Sequence, residues 1–229
     1  MTPNSEIINW DNIFSKSSEF QTNTPFQFAF IGNWLQKDFY EKLYETYPKI
    51  DDSWSTSSDL SRLQFYRLCT SDKKNVPGPS GDDPTLNKYW NQLKKTTEST
   101  EFCENFTKFS GVKVNRLKFF EFIAYKQGGF QLPHIHNVGP NTLILMIYFS
   151  KNWKHGSPGG TYMASEIDES SLIFEPYNLD NSFAIFHDSP KAAHGVRYIT
   201  DDVQRRALQL ELEYFSEDTG WSGDPKTMA

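Results

Sequence analysis

Between Thr142 and Phe149 the chain reads TLILMIYF, with no charged position. Such a run suits a strand buried on both faces. The segment from Arg205 to Tyr214 follows another rule. Arg206, Leu208, Leu210, Leu212 and Tyr214 fall on one side, and Arg205, Ala207, Gln209, Glu211 and Glu213 on the other, which is the two-residue period of a strand. Val112 to Tyr125 is rich in β-branched and aromatic residues, and Gly160–Met163, Leu172–Phe174 and Ser182–Phe186 are shorter strand candidates. Turn signals at Gly128-Gly129, Gly139-Pro140 and Pro158-Gly159-Gly160 separate them. Short strands spaced in this way predict a β-sandwich or barrel.

Upstream the period changes. After an N-terminal arm, Phe26, Phe28 and Phe30 alternate in a short strand, Phe26 to Ile31. Leu35, Phe39, Leu43 and Tyr47 then fall four apart, predicting a helix that Asn33 caps and Pro48 stops. Asp83-Pro84 opens a second helix, with Leu86, Tyr89, Trp90 and Leu93 on one face. A third carries Phe102, Phe106 and Phe109 and ends near Gly111. Between them, residues 51–83 are dominated by Ser, Asp, Gly, Pro and Lys, a long polar loop of the kind used as a lid. Trp54, Arg62 and Arg67 are its candidate substrate-selecting residues. The pattern predicts one mainly β domain of the α+β class over residues 1–229. Residues 1–111 supply helical support and the lid loop, 112–215 the β core, and 216–229 a tail.

Composition narrows what this domain does. With 37% hydrophobic and 16% aromatic residues in 229, the chain holds ample core material. A net charge of −6 with no Lys/Arg cluster argues against nucleic acid as a partner. The two cysteines, Cys69 and Cys103, form no CxxC spacing, so neither a disulfide framework nor a thiolate zinc site is expected. No apolar stretch approaches the roughly 20 residues of a membrane span, and Met1 to Ser15 lacks the pattern of a signal peptide. The expectation is a cytoplasmic protein with no membrane partner.

The chemistry lies in the histidines, of which there are five. His134 and His136 sit two apart in Leu132-Pro133-His134-Ile135-His136. On a strand that spacing puts both imidazoles on one face, roughly 6–7 Å apart, with Ile135 turned to the core. Two such imidazoles close on one ion of the kind imidazole suits: Fe, Zn, Cu or Ni. The motif alone is weak, since two surface histidines near a turn give the same letters. His194 follows the strand candidate 182–186, and eleven residues later Arg205 lies on the polar side of the last strand. A buried arginine near a metal needs an anion, as when a metal-bound ligand ends in a distal carboxylate. His155 reads as a solvated loop residue and His187 as a partly buried, satisfied one. Glu211 and Glu213 read as a wet rim.

In this order the residues resemble the Fe(II)- and 2-oxoglutarate-dependent dioxygenases, in particular their prolyl-hydroxylase branch. The resemblance covers about residues 115–215. It runs through Tyr125-Lys126-Gln127-Gly128-Gly129, Pro133-His134-Ile135-His136-Asn137, the strand ending Ile147-Tyr148-Phe149-Ser150-Lys151-Asn152-Trp153, Gly159-Gly160, Phe174-Glu175-Pro176, His194 and Arg205. It implies a double-stranded β-helix (jelly roll) with supporting N-terminal helices. It implies Fe(II) held by His134 and His194, 2-oxoglutarate gripped through its far carboxylate by Arg205 with Tyr125 and Tyr148, and ascorbate as reductant. The implied activity is hydroxylation of a peptidyl or small-molecule, proline-like substrate. Arg206 is the runner-up for the anchoring arginine, but its alternation partners are apolar and turn it toward a covering layer.

One position departs from the pattern. The family's HxD or HxE carboxylate is here His136. Either His136 ligates and gives a three-histidine metal site, or it swings away and leaves a position for water or an anion, or the fold serves as a non-catalytic metal-binding module. The expected arrangement is the first, with His134, His136 and His194 as ligands, because a histidine on that face reaches the ion and no other use for it is evident. A three-histidine cupin dioxygenase independent of 2-oxoglutarate is a further alternative: Gly128, five residues and then His134-Ile135-His136 fit the opening of its motif. The glutamate expected next is absent from Asn137 to Asn141.

Overall fold

The computed structural model describes residues 7–69, 80–136 and 139–216. Part of the polar stretch (70–79), Asn137 of the histidine motif and the tail beyond residue 216 lie outside the described residues. The elements run in the order α1 (Trp10–Phe14), α2 (Ser17–Thr22), β1 (Phe28–Gly32), α3 (Lys37–Glu45), β2 (Ser55–Ser58), β3 (Arg62–Leu68), α4 (Lys88–Thr97), α5 (Thr100–Ser110), β4 (Arg116–Tyr125), β5 (Phe130–His134), β6 (Thr142–Phe149), β7 (Tyr162–Ala164), β8 (Leu172–Phe174), β9 (Asp180–His187), β10 (Ala193–Val196) and β11 (Arg205–Glu213).

The strands form one curled antiparallel ladder in the order β1-β9-β6-β11-β4-β3-β5-β10-β7-β8, with β2 hanging on β3. The apolar run takes a central place: β6 is buried at every position, between β9 and β11. Alternation then divides the strands between two cores. Leu143, Leu145, Ile147 and Phe149 of β6 join Phe120 and Phe122 of β4 and Leu208, Leu210 and Leu212 of β11 under the helices. Ile144, Met146 and Tyr148 join Ile123, Tyr125 and Ala207 inside the curl, with Met163 and Phe186. The curl is closed by aromatic contact: Phe28 and Phe30 of β1 meet Phe174 of β8 at centroid distances of 5.7 and 5.8 Å. The architecture is the expected one, a jelly-roll-like β fold carrying N-terminal helices.

The helices form where the four-residue period puts them, but their starts shift. Asn33 does not cap α3. It sits at φ +50°, and the chain stays extended to Gln36, held by Asn9 N–H to Trp34 O (2.7 Å) and Gln36 N–H to Ile7 O (2.9 Å). Asp83-Pro84 makes an isolated turn closed by Thr85 N–H on the Asp83 carboxylate (2.8 Å). Helix α4 opens later, at Asn87, whose side chain accepts from Tyr89 and Trp90 N–H. Ser99 caps α5, and Gly111 ends it at φ +75°, a conformation that suits glycine.

The polar stretch is not simply a loop. Residues 55–68 form the β2–β3 hairpin, and β3 is wedged between β4 and β5. β2 is polar because it is an outlying strand with no layer to bury against. No helix among the described residues is long and apolar enough to cross a membrane.

Candidate metal centre

β5 and β10 run antiparallel with His134 directly opposite His194. β5 ends at His134, so His136 is presented by the segment after the strand and not by strand alternation, as the motif alone predicts. The three rings nevertheless converge. Centroid distances are 4.3 Å for His134–His194, 5.0 Å for His134–His136 and 4.8 Å for His136–His194. One ligand nitrogen from each lies within 4.8 Å of the others, and the Nε2 atoms of His134 and His136 are 3.1 Å apart.

Backbone carbonyls set the tautomers, because a carbonyl only accepts. His194 Nδ1–H donates to Ala192 O (2.9 Å) and His134 Nδ1–H to Leu132 O (3.1 Å), which leaves both Nε2 lone pairs toward the cluster. Phe186 packs on His194 at 4.4 Å. Burial holds all three imidazoles below their ordinary pKa. His194 is held well below it, and His136 is pushed down to about 4 by burial and then by the neighbouring charges of His134, Arg62 and Lys118. At neutral pH three unprotonated imidazoles face one point, the donor set a divalent transition metal requires. The cluster contains no carboxylate among the described residues.

Arg205 begins β11 on the inner side, like Ala207 beyond it. It is fully buried, and its Nη2 donates to Thr161 Oγ1 at 3.1 Å. Among the described residues its Nε and Nη1 have no hydrogen-bond partner. Its guanidinium lies 4.7 Å from the ring of Tyr125 and 5.2 Å from that of Tyr148. A buried arginine left with free donors is destabilising by several kcal/mol unless an anion completes it. The two orphaned nitrogens thus fit a carboxylate.

The two ends are connected. Tyr125 Oη lies 2.7 Å from Gln64 Oε1 and 3.1 Å from Gln131 Oε1, and Gln131 Nε2 lies 3.3 Å from His134 Nε2. Tyr148 Oη accepts from Thr161 N–H (3.0 Å). Sequence reasoning overlooks Gln64, Gln131, Thr161 and Phe186. Gln64, Gln131 and Phe186 are ordinary strand residues and Thr161 directly precedes β7, so their side is fixed only by the curl.

The lid candidates separate by strand parity. Arg62, on β3 opposite Gln131, is half-buried, and its charge reaches His134 and His136. Arg67 lies on the other face and donates to Thr85. Trp54 is buried under the helices against Tyr47 and Phe122, so it is a core residue. His155 is exposed, and His187 is half-buried and donates to Pro140 O, as expected. The glutamates correct the sequence reading. Glu211 and Glu213 are 2% and 0% exposed and form no wet rim. Lys118 pairs with Glu211 at 2.9 Å, and Arg116 forks onto Glu213. Isolated letters on a strand do not reveal partners supplied by the next strand.

The chain matches no protein-family model and no curated sequence. It does match solved structures. A Pseudomonas putida prolyl-4-hydroxylase superposes with TM-score 0.65 at 11% identity, over 89% of this chain and 100% of that one. A Trichoplax adhaerens prolyl hydroxylase, solved with a peptide fragment of the hypoxia inducible factor oxygen degradation domain, gives 0.57 at 13%, over 91% and 90%. A Burkholderia pseudomallei member of the 2OG-Fe(II) oxygenase family gives 0.57 at 8%, over 89% and 90%. At such identities the likeness establishes the fold.

Proposed function

We propose that the chain is an Fe(II)- and 2-oxoglutarate-dependent oxygenase with a three-histidine metal site, hydroxylating a peptidyl or small-molecule, proline-like substrate. The observation that carries this is the buried Arg205, with two nitrogens unpartnered among the described residues, in the same interior as three converging neutral imidazoles. A metal site alone would not need a fully buried cation without an anion. A co-substrate with an oxo-acid end for the metal and a far carboxylate for the arginine accounts for both.

In this reading His134, His136 and His194 hold the metal through Nε2, and Arg205 grips the far carboxylate beside Tyr125 and Tyr148. When bound, iron and 2-oxoglutarate together supply the oxidising equivalents that O₂ chemistry needs. The protein's residues position and protect them. The Nδ1 bonds of His134 and His194 fix ring orientation, and Phe186 keeps water from His194. Gln131 joins the arginine end to the histidine end, and Arg62 places its charge beside His134 and His136. His136 ligates in preference to swinging away, because its Nε2 already faces that of His134.

Arg205 provides the test. With Zn(II) in place of iron, calorimetry is expected to show 2-oxoglutarate binding to the wild type and a loss of about 100-fold or more in Arg205→Lys and Arg205→Ala, the loss of a bidentate charged contact. Unchanged affinity in folded Arg205→Lys removes the co-substrate from the reading and favours a cupin-like activity.

A further inference from the structure

A cavity of about 480 Å³ opens where β6 ends and β11 begins. That volume lies within the usual range for small-molecule sites, roughly 300–1,000 Å³. It lies at the margin between the two cores: Tyr44 and Phe149 belong to the helix side, and Ile199 and Trp153 pack against the curl core. Arg206, whose neighbour Arg205 points into the curl, turns the opposite way and enters this space.

Its walls are aromatic and its charges cationic. Tyr44, Phe149 and Trp153 supply rings, and Arg206, Lys151 and Lys154 supply three positive charges against the single carboxylate of Asp201. Lys151 is already engaged by Glu41. Arg206 is not engaged: half-buried, it lies 5.6 Å from the rings of Tyr44 and Tyr47, and among the described residues its guanidinium has no hydrogen bond or ion pair. The cavity is preformed. Trp153 Nε1–H donates to Ser157 O (3.2 Å), and Gly159, at φ +136°, packs so closely that an added Cβ would lie 2.4 Å from the Trp153 ring.

We infer that this cavity binds a small organic anion with a flat ring, its acid group on Arg206 and Lys154 and its ring against Trp153. A guanidinium braced on two tyrosines is pre-oriented for a bidentate acid group, and the indole offers the ring a partner. Its arginine is not the one inside the curl, since Arg205 and Arg206 lie on opposite faces of one strand.

The probe is 2-naphthoate, with 2-naphthamide as its uncharged counterpart, measured by calorimetry on the full chain. Naphthoate is expected to bind with a Kd of about 1 mM or tighter, and the amide about tenfold or more weakly. Arg206→Gln is expected to weaken naphthoate about tenfold, and the surface variant Lys154→Glu several-fold. Saturating Zn(II) and 2-oxoglutarate are expected to leave naphthoate affinity unchanged. Absence of naphthoate binding, equal affinity for the amide, or wild-type affinity in Lys154→Glu together with any folded Arg206→Gln overturns the inference. Displacement of naphthoate by 2-oxoglutarate does so too, because it places the probe at Arg205.

Discussion

His136 shows what one residue changes. Where a carboxylate would stand, an imidazole leaves the donor set without negative charge, beside the positive fields of Arg62 and Lys118. The three depressed pKa values then bear on stability. In the unfolded chain each imidazole takes a proton near its ordinary 6.5, while the folded form resists protonation. The unfolded state therefore binds more protons below that pH, so the stability is fully present above about 6.5 and is lost as pH falls. For His136, with a folded value of about 4, the loss is on the order of 3 kcal/mol by pH 4. Glu121 acts in the opposite sense. Burial, and then Glu211, push its carboxyl up to about 7, so its contribution is lost as pH rises through that value. Urea unfolding of the metal-free protein in a Glu121→Gln background is expected to show stability falling steadily from pH 6.5 to 4. A His136→Asn variant should flatten that slope; an equal slope in both proteins means that His136 is not buried as described.

At the level of elements, alternation was legible and partnership was not. The opposite parities of Arg205 and Arg206 follow from β11 alone, and the structure keeps them: one faces the curl, the other the tyrosines of α3 and its C-terminal turn. The fate of Glu211 and Glu213 on the same strand depends on β4, which supplies Lys118 and Arg116. Likewise, β3 was hidden in a polar stretch because it stays largely half-buried, with Gln64 alone of its residues buried, and is defined by its pairing with β4 and β5. Since Glu213 is fully buried on Arg116, Glu213→Ala leaves a largely buried cation without its partner. The expected cost is about 3 kcal/mol or more, read as a lower urea midpoint. Exchanging the pair for Arg116→Met with Glu213→Leu should recover most of it. A Glu213→Ala midpoint equal to wild type contradicts the pairing.

At the scale of the whole molecule, the fold was readable because its two cores are written as two periods. Four-residue spacing marks helices that cover one face, and strict alternation in β11 with the apolar run of β6 marks a sheet lined on both sides. Leu145 belongs to the covered side, so Leu145→Ala is expected to cost about 2–5 kcal/mol in thermal or urea unfolding while leaving metal affinity intact. The site was legible only in part. His134, His194 and Arg205 were marked by residue type and order. The curl that brings Gln64, Gln131 and Thr161 among them is long-range, and no local pattern encodes it.

We propose that the three histidines and Arg205 form one site for a metal and an oxo acid. Anaerobic addition of Fe(II) and 2-oxoglutarate to the purified protein tests it most directly. A weak visible charge-transfer band is expected that requires both components, is absent in Arg205→Lys and decays with succinate formation on admitting air. Fe(II) bound in one equivalent, with no band and no succinate, would contradict it.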